Sequence, residues 1–477
     1  MLNYITRKDR YSINALLNLS IYLFFLIVAA ALSGRSSSYV ILIGVLAPII
    51  IFIINLDLKI SVFFYIALIP IIQHYSYIGP NLGDFVISPH MMIQFIIILF
   101  VFADFLYNYN DKGRKFNLID KLLLAFVLFS IFSLIFPYYL PLNHTKRWLL
   151  FYTGVFENIS FYFIITYLLY RNPAEIQKIL FALLCTSFSS LIIALLEIKF
   201  LGFNPVKIFL ARMSIGFGYH NTNLFGIHSV VLFPIIFYLL VNKSYKRLKV
   251  LSWGSFVILS VLSILCFNRG TFIVLFFQLL LLFLIKENRK IIYGFVLSFA
   301  ILVLYFSNII FLYVYRFIGE FGFSNGTVLD ESAYYRLEAW KTGLKTLLLY
   351  PLGIGAGGFQ YIWEKYGSDP SFFLGTPHHL FLSIGVDYGV IPMLIFIIIL
   401  IISYLYCSRI NKSTGQVIFR YIKISIVGFV LYGLITDGEL SHLTGSVNPN
   451  NGYNIFFFTL VAIISVNVSR IDNDRSR

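Results

Sequence analysis

The sequence predicts an all-α fold, a polytopic membrane helix bundle of about 14 spans with one large extracytoplasmic loop, and three observations carry that expectation. Of 477 residues, 59% are hydrophobic and only 12% are charged. Apolar runs repeatedly reach the eighteen or so residues that cross a bilayer. Lysine and arginine collect in alternate connections, which gives the bundle a direction.

Arg7, Lys8 and Arg10 precede a span at about 13–32 that lacks a small-residue cleavage site, so it reads as an uncleaved anchor starting in the cytoplasm. Further spans are expected at about 39–54, 60–78, 90–107, 121–136, 149–170, 176–197, 223–241, 250–267, 270–285, 291–313, 379–407, 417–436 and 453–468. Alternating sides from that start puts about two thirds of the 36 Lys and Arg inside, in clusters such as Lys112/Arg114/Lys115, Lys243/Lys246/Arg247/Lys249 and Lys286/Arg289/Lys290. An even count returns the C-terminal "SRIDNDRSR" to the cytoplasm. The net charge of +15 is accounted for by this orientation and calls for no nucleic-acid partner. The 51 Phe and 33 Tyr point to aromatic packing, with Tyr suited to the headgroup level. Cys185, Cys266 and Cys407 lie in or at the ends of spans without metal-ligand spacing and read as packing residues.

Between the spans ending near 313 and beginning near 379 lie about 65 residues, and connections this long are usually functional. Within this outer loop, "SAYYRLEAWKTGLKTLLLY" (332–350) has helical spacing, with Leu337, Trp340, Leu344, Leu347 and Leu348 on one stripe suited to the outer leaflet. "PLGIGAGGF" (351–359) follows; its glycines allow a ligand or another chain segment to come close, and no Lys-Ser/Thr follows as in a nucleotide-binding loop. In "GTPHHLFLSIGVDYG" (375–389), Thr376 is expected as N-cap and Pro377 as the first helical residue, which sets His378 and His379 in the first turn. There the helix dipole disfavours a protonated ring, and a neutral imidazole can act as a base. The plain alternative is an interfacial histidine bonded to a loop carbonyl. Adjacent side chains point about 100 degrees apart on a helix, which argues against a shared zinc ion.

These residues resemble the signature region of the O-antigen ligase/O-antigen polymerase superfamily of bacterial membrane glycosyltransferases. The resemblance rests on "YRLEAWKTGLKTLLLYPLGIGAGGF" followed by "HHLFLSIGVDYG", on "NRGTF" (268–272) and on "GYHNTNLFGIHSVVLFP" (218–234), and covers about 210–405. In that family an Arg and a Trp precede a Pro-x-Gly-x-Gly run, and a His stands eleven residues before a Gly that often follows an acidic residue. Arg336, Trp340, His378, Asp387 and Gly389 take those positions, and His379 stands where Asn, Ser or Gln is usual.

The resemblance implies a GT-C-like bundle that transfers or polymerises glycan from undecaprenyl diphosphate onto a hydroxyl acceptor at the outer face of the bacterial cytoplasmic membrane. The partners implied are the lipid-linked oligosaccharide donor and an acceptor glycan, lipid-anchored core or protein. Such chemistry needs cations beside the leaving diphosphate and a base beside the acceptor hydroxyl. Arg269 and Arg336, with Arg212 as a third candidate, suit the first task, because guanidinium forks match phosphate oxygens and keep their charge. At mid-membrane Arg269 would cost on the order of 3 kcal/mol, so an interfacial position is expected for it. His378 takes the second task, supported by His379, Asp387, Gly389 and Trp340, while Asn221 and Asn223 either orient donor or cap their helix. No metal or other cofactor is required, and the Asp-x-Asp at 472–474 reads as a solvated tail.

This divides the chain into an N-terminal bundle (1–209), a ligase-like region (210–407, with its loop at 314–378) and C-terminal helices with a cytoplasmic tail (408–477). The competing class is a transporter or lipid-linked oligosaccharide flippase, for which Glu157, His90 and Asp104 within spans offer an ion or proton path.

Overall fold

The computed structural model describes residues 58–74, 81–82, 85–86, 89–107, 116–135, 144–202, 207–208, 211, 215–219, 222–242, 245–266, 268–294, 296–297, 331–367, 376–436 and 454–475. The expected spans at about 13–32 and 39–54, most of that at 291–313, Arg212 and Asn221 lie outside the described residues. Within them the chain forms helices α1 (Leu58–His74), α2 (Pro89–Tyr107), α3 (Leu118–Ile135) and α4 (His144–Phe151), a π-helical turn (Tyr152–Phe156), then α5 (Glu157–Arg171), α6 (Glu175–Phe200), α7 (Thr222–Val241), α8 (Lys246–Leu265) and α9 (Arg269–Phe283). The segment between α9 and α12 supplies α10 (Glu331–Leu349) and α11 (Phe359–Tyr366), and the remaining helices are α12 (Leu380–Tyr388), α13 (Val390–Thr414), α14 (Ile418–Thr436) and α15 (Asn454–Arg475).

The protein is therefore an all-α membrane bundle, with one short ladder, β1 (Asn81–Leu82) on β2 (Phe85–Val86), ahead of α2 among the described residues. Among the described residues, seven helices are long and apolar enough to cross a membrane, or eight if α9 and Lys286–Gly294, bent by 111°, make one span. Segments of α1 and α2, Lys59–His74 and Ile93–Phe105, are apolar but shorter.

The centre of the bundle is α7. Its apolar residues run all the way round, as a helix surrounded by other helices requires, and 94% of its best apolar window is buried. It packs on α8, α9 and α14, while α15 returns along the chain to pack on α5 and α13. Polar clasps hold these contacts. Gln278 of α9 donates to the Val230 carbonyl of α7 (2.9 Å) and occupies the space that a side chain at Gly428 of α14 would need. At the start of α3, Asn117 and Asp120 cap each other reciprocally, and Asp120 accepts from the Tyr162 hydroxyl of α5 (2.6 Å). Asn117 Nδ2 then donates to the Ser465 carbonyl of α15 (2.9 Å).

One expectation needs correction. The span expected at 379–407 is interrupted at Gly389, which separates α12 from α13 with φ 101° and ψ 171°. That region of backbone space is open essentially to glycine alone. The stripe expected on α10 faces away from the protein: Leu337, Leu344 and Leu348 are exposed, while the helix buries Ala339, Thr342, Gly343 and Thr346. Small residues let α10 approach the chain closely, so that Gly343 lies against Pro377 and Leu382. The exposed leucines remain available to the lipid surface expected beside the loop.

The segment carrying α10 and α11 has its own small core. Trp363 of α11 is fully buried among Ala339, Ile354, Phe359, Ile362 and Val386, which joins α10, the glycine run and α12.

Candidate functional site

Two groups of polar residues gather where the motif-bearing helices begin. In the first, the N-termini of α7 and α9 stand side by side. Asn268 caps α9 by accepting from the Thr271 N–H (3.0 Å), and its amide donates to Asn223 Oδ1. The Tyr432 hydroxyl of α14 donates to the Asn223 carbonyl (2.7 Å). Gly226 makes this approach possible, since a side chain there would strike both Thr271 and Tyr432. Arg269 is the first residue of α9, half-buried at this junction. Two helix N-termini and a guanidinium make the corner positive, a setting that favours an anion.

Arg336 of α10 reaches the same end of α14, where its Nη1 donates to the Ile435 carbonyl (3.0 Å). That bond satisfies a carbonyl at a helix C-terminus and engages one of the five N–H donors of a guanidinium.

In the second group, Trp340, one turn after Arg336 on α10, donates through Nε1 to the His378 carbonyl (3.4 Å) and meets the His379 ring edge-on at 5.5 Å. The histidines do not occupy a first helical turn as expected. Helix α12 begins at Leu380, with His379 as its N-cap, accepting through Nδ1 from the Leu382 N–H (3.3 Å). Thr376 is not the helix cap: its hydroxyl accepts instead from the His378 N–H (3.3 Å), and His378 adopts a left-handed backbone, φ 52°. Histidine is among the few side chains enriched there, and such positions cluster at functional sites.

Burial holds the His379 imidazole below the ordinary histidine range. A ring kept neutral in the folded state adds stability that is fully present above about pH 6.5 and is lost as pH falls through the folded value. Thermal unfolding between about pH 8 and about pH 5 is expected to show this loss beginning near pH 6.5, and His379→Asn, which also caps, should remove it. An acid limb unchanged by that substitution would count against a neutral ring.

The glycine run and the break at Gly389 form one unit. Ile354 N–H donates to the Val386 carbonyl (2.8 Å), Gly355 N–H to that of Asp387 (3.0 Å), and Val390 N–H to that of Pro351 (2.9 Å). Gly353 and Gly389 have positive φ, and a Cβ on either would come within 2.7 Å of the facing backbone. What approaches these glycines is the chain itself. Asp387 is buried in this clasp, eight residues and about 12 Å along α12 from His379, so the structure separates it from the histidines.

Sequence reasoning missed Asn268, Tyr432 and Arg147. The first was legible as a cap before Arg269. Tyr432 sits in an apolar run that distinguishes no single hydroxyl. Arg147, at the start of α4, is buried against Gly355, and nothing in its local sequence marks it. Of the transport candidates, His90 and Glu157 come together (3.0 Å), whereas Asp104 pairs with Arg171 (2.9 Å) toward the far end of α2. The tail carboxylate Asp472 pairs with Arg409.

The fold and its polar groups define an integral membrane protein with a site gathered where α7, α9, α10 and α12 begin or meet. Residues 254–397 match the family model described as O-Antigen ligase, so this stretch of the chain is similar to the O-antigen ligase superfamily. The match runs from α8 into α13 and includes Arg269, Arg336, Trp340, both histidines, Asp387 and Gly389. No curated protein matches the chain.

Proposed function

We propose that the protein transfers or polymerises glycan from an undecaprenyl-diphosphate-linked donor onto a hydroxyl acceptor, at the outer face of the bacterial cytoplasmic membrane, with both termini in the cytoplasm. The observation that carries this reading is α10, where residues one turn apart serve the two groups. Arg336 binds the end of α14 beside the paired N-termini of α7 and α9, and Trp340 binds the backbone of His378. An anion-binding corner and a histidine thus share one helix face.

In the proposed reaction the donor diphosphate lies against Arg269 and Arg336, with Arg212 as a third cation and Asn221 and Asn223 orienting the donor. The acceptor oxygen bonds to the anomeric carbon, the sugar–phosphate bond breaks, and the lipid diphosphate leaves with the electron pair. The guanidiniums stabilise that charge as it develops. His378 takes the acceptor proton. His379 is poorly suited to do so, because its Nδ1 lone pair is engaged by the Leu382 N–H and the proton of the neutral ring then sits on Nε2. It can donate a hydrogen bond there, as the amide usual at this family position does.

Purified protein in vesicles with lipid-diphosphate oligosaccharide should elongate or relocate the glycan. Arg269→Ala and Arg336→Ala are each expected to lower turnover on the order of 100-fold, and the Lys variants less. Transfer unaffected by either, or lipid movement without transfer, would overturn the reading in favour of a flippase.

A further inference from the structure

Away from the outer site, four polar side chains meet inside the N-terminal helices with almost no exposure: Tyr65 of α1, His90 and Gln94 of α2, and Glu157 at the start of α5. Glu157 follows the π-helical turn, its N–H donating to the Tyr152 carbonyl five residues back, and such turns recur at functional sites. Their hydrogen bonds determine where the protons sit. Gln94 Nε2 donates to the Glu157 carbonyl (2.7 Å), so Oε1 of the same amide faces Tyr65 and accepts from its hydroxyl (2.7 Å). A phenol has one proton. The Tyr65 oxygen can therefore only accept from His90 Nδ1 (2.8 Å), which must carry hydrogen. His90 Nε2 lies 3.0 Å from Glu157 Oε1, with the two side chains 0% and 1% exposed, and neither carboxylate oxygen has a hydrogen-bond partner among the described residues, so both are open to a proton.

We propose that His90 and Glu157 form a proton-binding site inside the membrane bundle, independent of the glycan site, and that the one proton held between them locks α1, α2 and α5 together. The 3.0 Å gap admits a proton and no larger ion. With the proton on nitrogen the pair is imidazolium and carboxylate; with it on oxygen, a neutral imidazole accepts from a carboxylic acid. With none, a nitrogen lone pair would face a buried carboxylate, the costliest arrangement available in a medium of low dielectric constant. The phenols of Tyr65 and Tyr152 are the titratable neighbours of Glu157. Of the described charged groups on the other helices packed against α5, Glu175 of α6 pairs with Lys59 and Lys178, Glu197 of α6 lies 3.4 Å from His74, and Arg470 of α15 donates to the Leu169 carbonyl (2.6 Å). Asp104 lies 14 residues, about 21 Å, along α2 from His90, too far to share this proton.

Nitrogen-15 NMR of the histidine-labelled full chain in lipid nanodiscs, with the His90 signal assigned by its loss in His90→Phe, should find hydrogen on Nδ1. A ring lacking hydrogen on Nδ1 overturns the proposal. Glu157→Gln places an N–H where the shared proton lies, so its unfolding temperature should stay within about 2 °C of the parent. Glu157→Ala should fall well below both. A Gln variant as unstable as the Ala variant overturns the proposal as well.

Discussion

Alanine at position 378 is expected to reduce glycan transfer by about 100- to 10,000-fold, the range that a positioned general base contributes, while the protein still inserts and unfolds close to the parent temperature. The expectation follows from the cap geometry. His379 has its Nδ1 committed to the Leu382 N–H, and its ring is kept neutral by burial, so it serves as a donor and not as a proton acceptor. His378 is turned out of the helix by a left-handed backbone and tied through its carbonyl to Trp340, one turn from Arg336. His379→Asn, which preserves both a cap and a donor, should keep transfer within about tenfold of the parent. The pair of variants, assayed in the same vesicles, separates the two rings. A reversed order, with position 379 the sensitive one, would assign the base to His379.

The second large effect is expected at Gly389. Alanine there would have to adopt φ 101° and ψ 171°, and its Cβ would lie 2.7 Å from the carbonyl carbon of Leu352 and 2.8 Å from the oxygen of Pro351. Neither neighbour is a side chain that can swing aside, so the glycine run must separate from α12 and α13, losing its three backbone hydrogen bonds to residues 386–390. Backbone strain and lost bonds together are on the order of 3–5 kcal/mol. Because that run packs around Trp363 and holds α12, Gly389→Ala should expose the outer segment to protease and abolish transfer while the spans remain inserted. Gly415 offers the contrast: its φ is also positive, at 67°, but a Cβ added there would meet nothing within 4 Å, so Gly415→Ala should cost only about 1–2 kcal/mol. Equal protection from protease in the two variants would show that the clasp does not hold the outer segment.

Much of the bundle was legible because a bilayer leaves few choices. Backbone groups in lipid must be satisfied within a helix, so an apolar run of sufficient length carries its own structure, and the expected spans from 60–78 to 270–285 have helices at their places. The motif residues of the outer loop were legible for a different reason: their types and order match a family, and residues 254–397 bear that out. The roles of individual residues were legible only in part. Thr-Pro is a strong local start signal, so the sequence points to a cap at Thr376, three residues early; in the folded chain the Thr376 hydroxyl accepts from His378 N–H and His379 caps instead. Size and hydrophobicity single out the leucine stripe on α10, whereas contact with α12 selects its small residues.

By itself, the sequence determined an all-α membrane protein, its apolar helices, its long polar loop and the residue types available for chemistry, since each is a property of a local window. Tertiary structure alone decided which polar groups meet: Asn223 with Asn268, Arg336 with the end of α14, and His90 with Glu157, 67 residues apart in the chain. It also decided that the span expected at 379–407 breaks, because the partner that holds Gly389 open is the backbone of Pro351 and Leu352. The physical reason is common to these cases. A helix apolar on every side, such as α7, satisfies the membrane in any rotation, so hydropathy carries no record of which face will touch which neighbour; close packing around small residues and pairing of buried polar groups select one rotation.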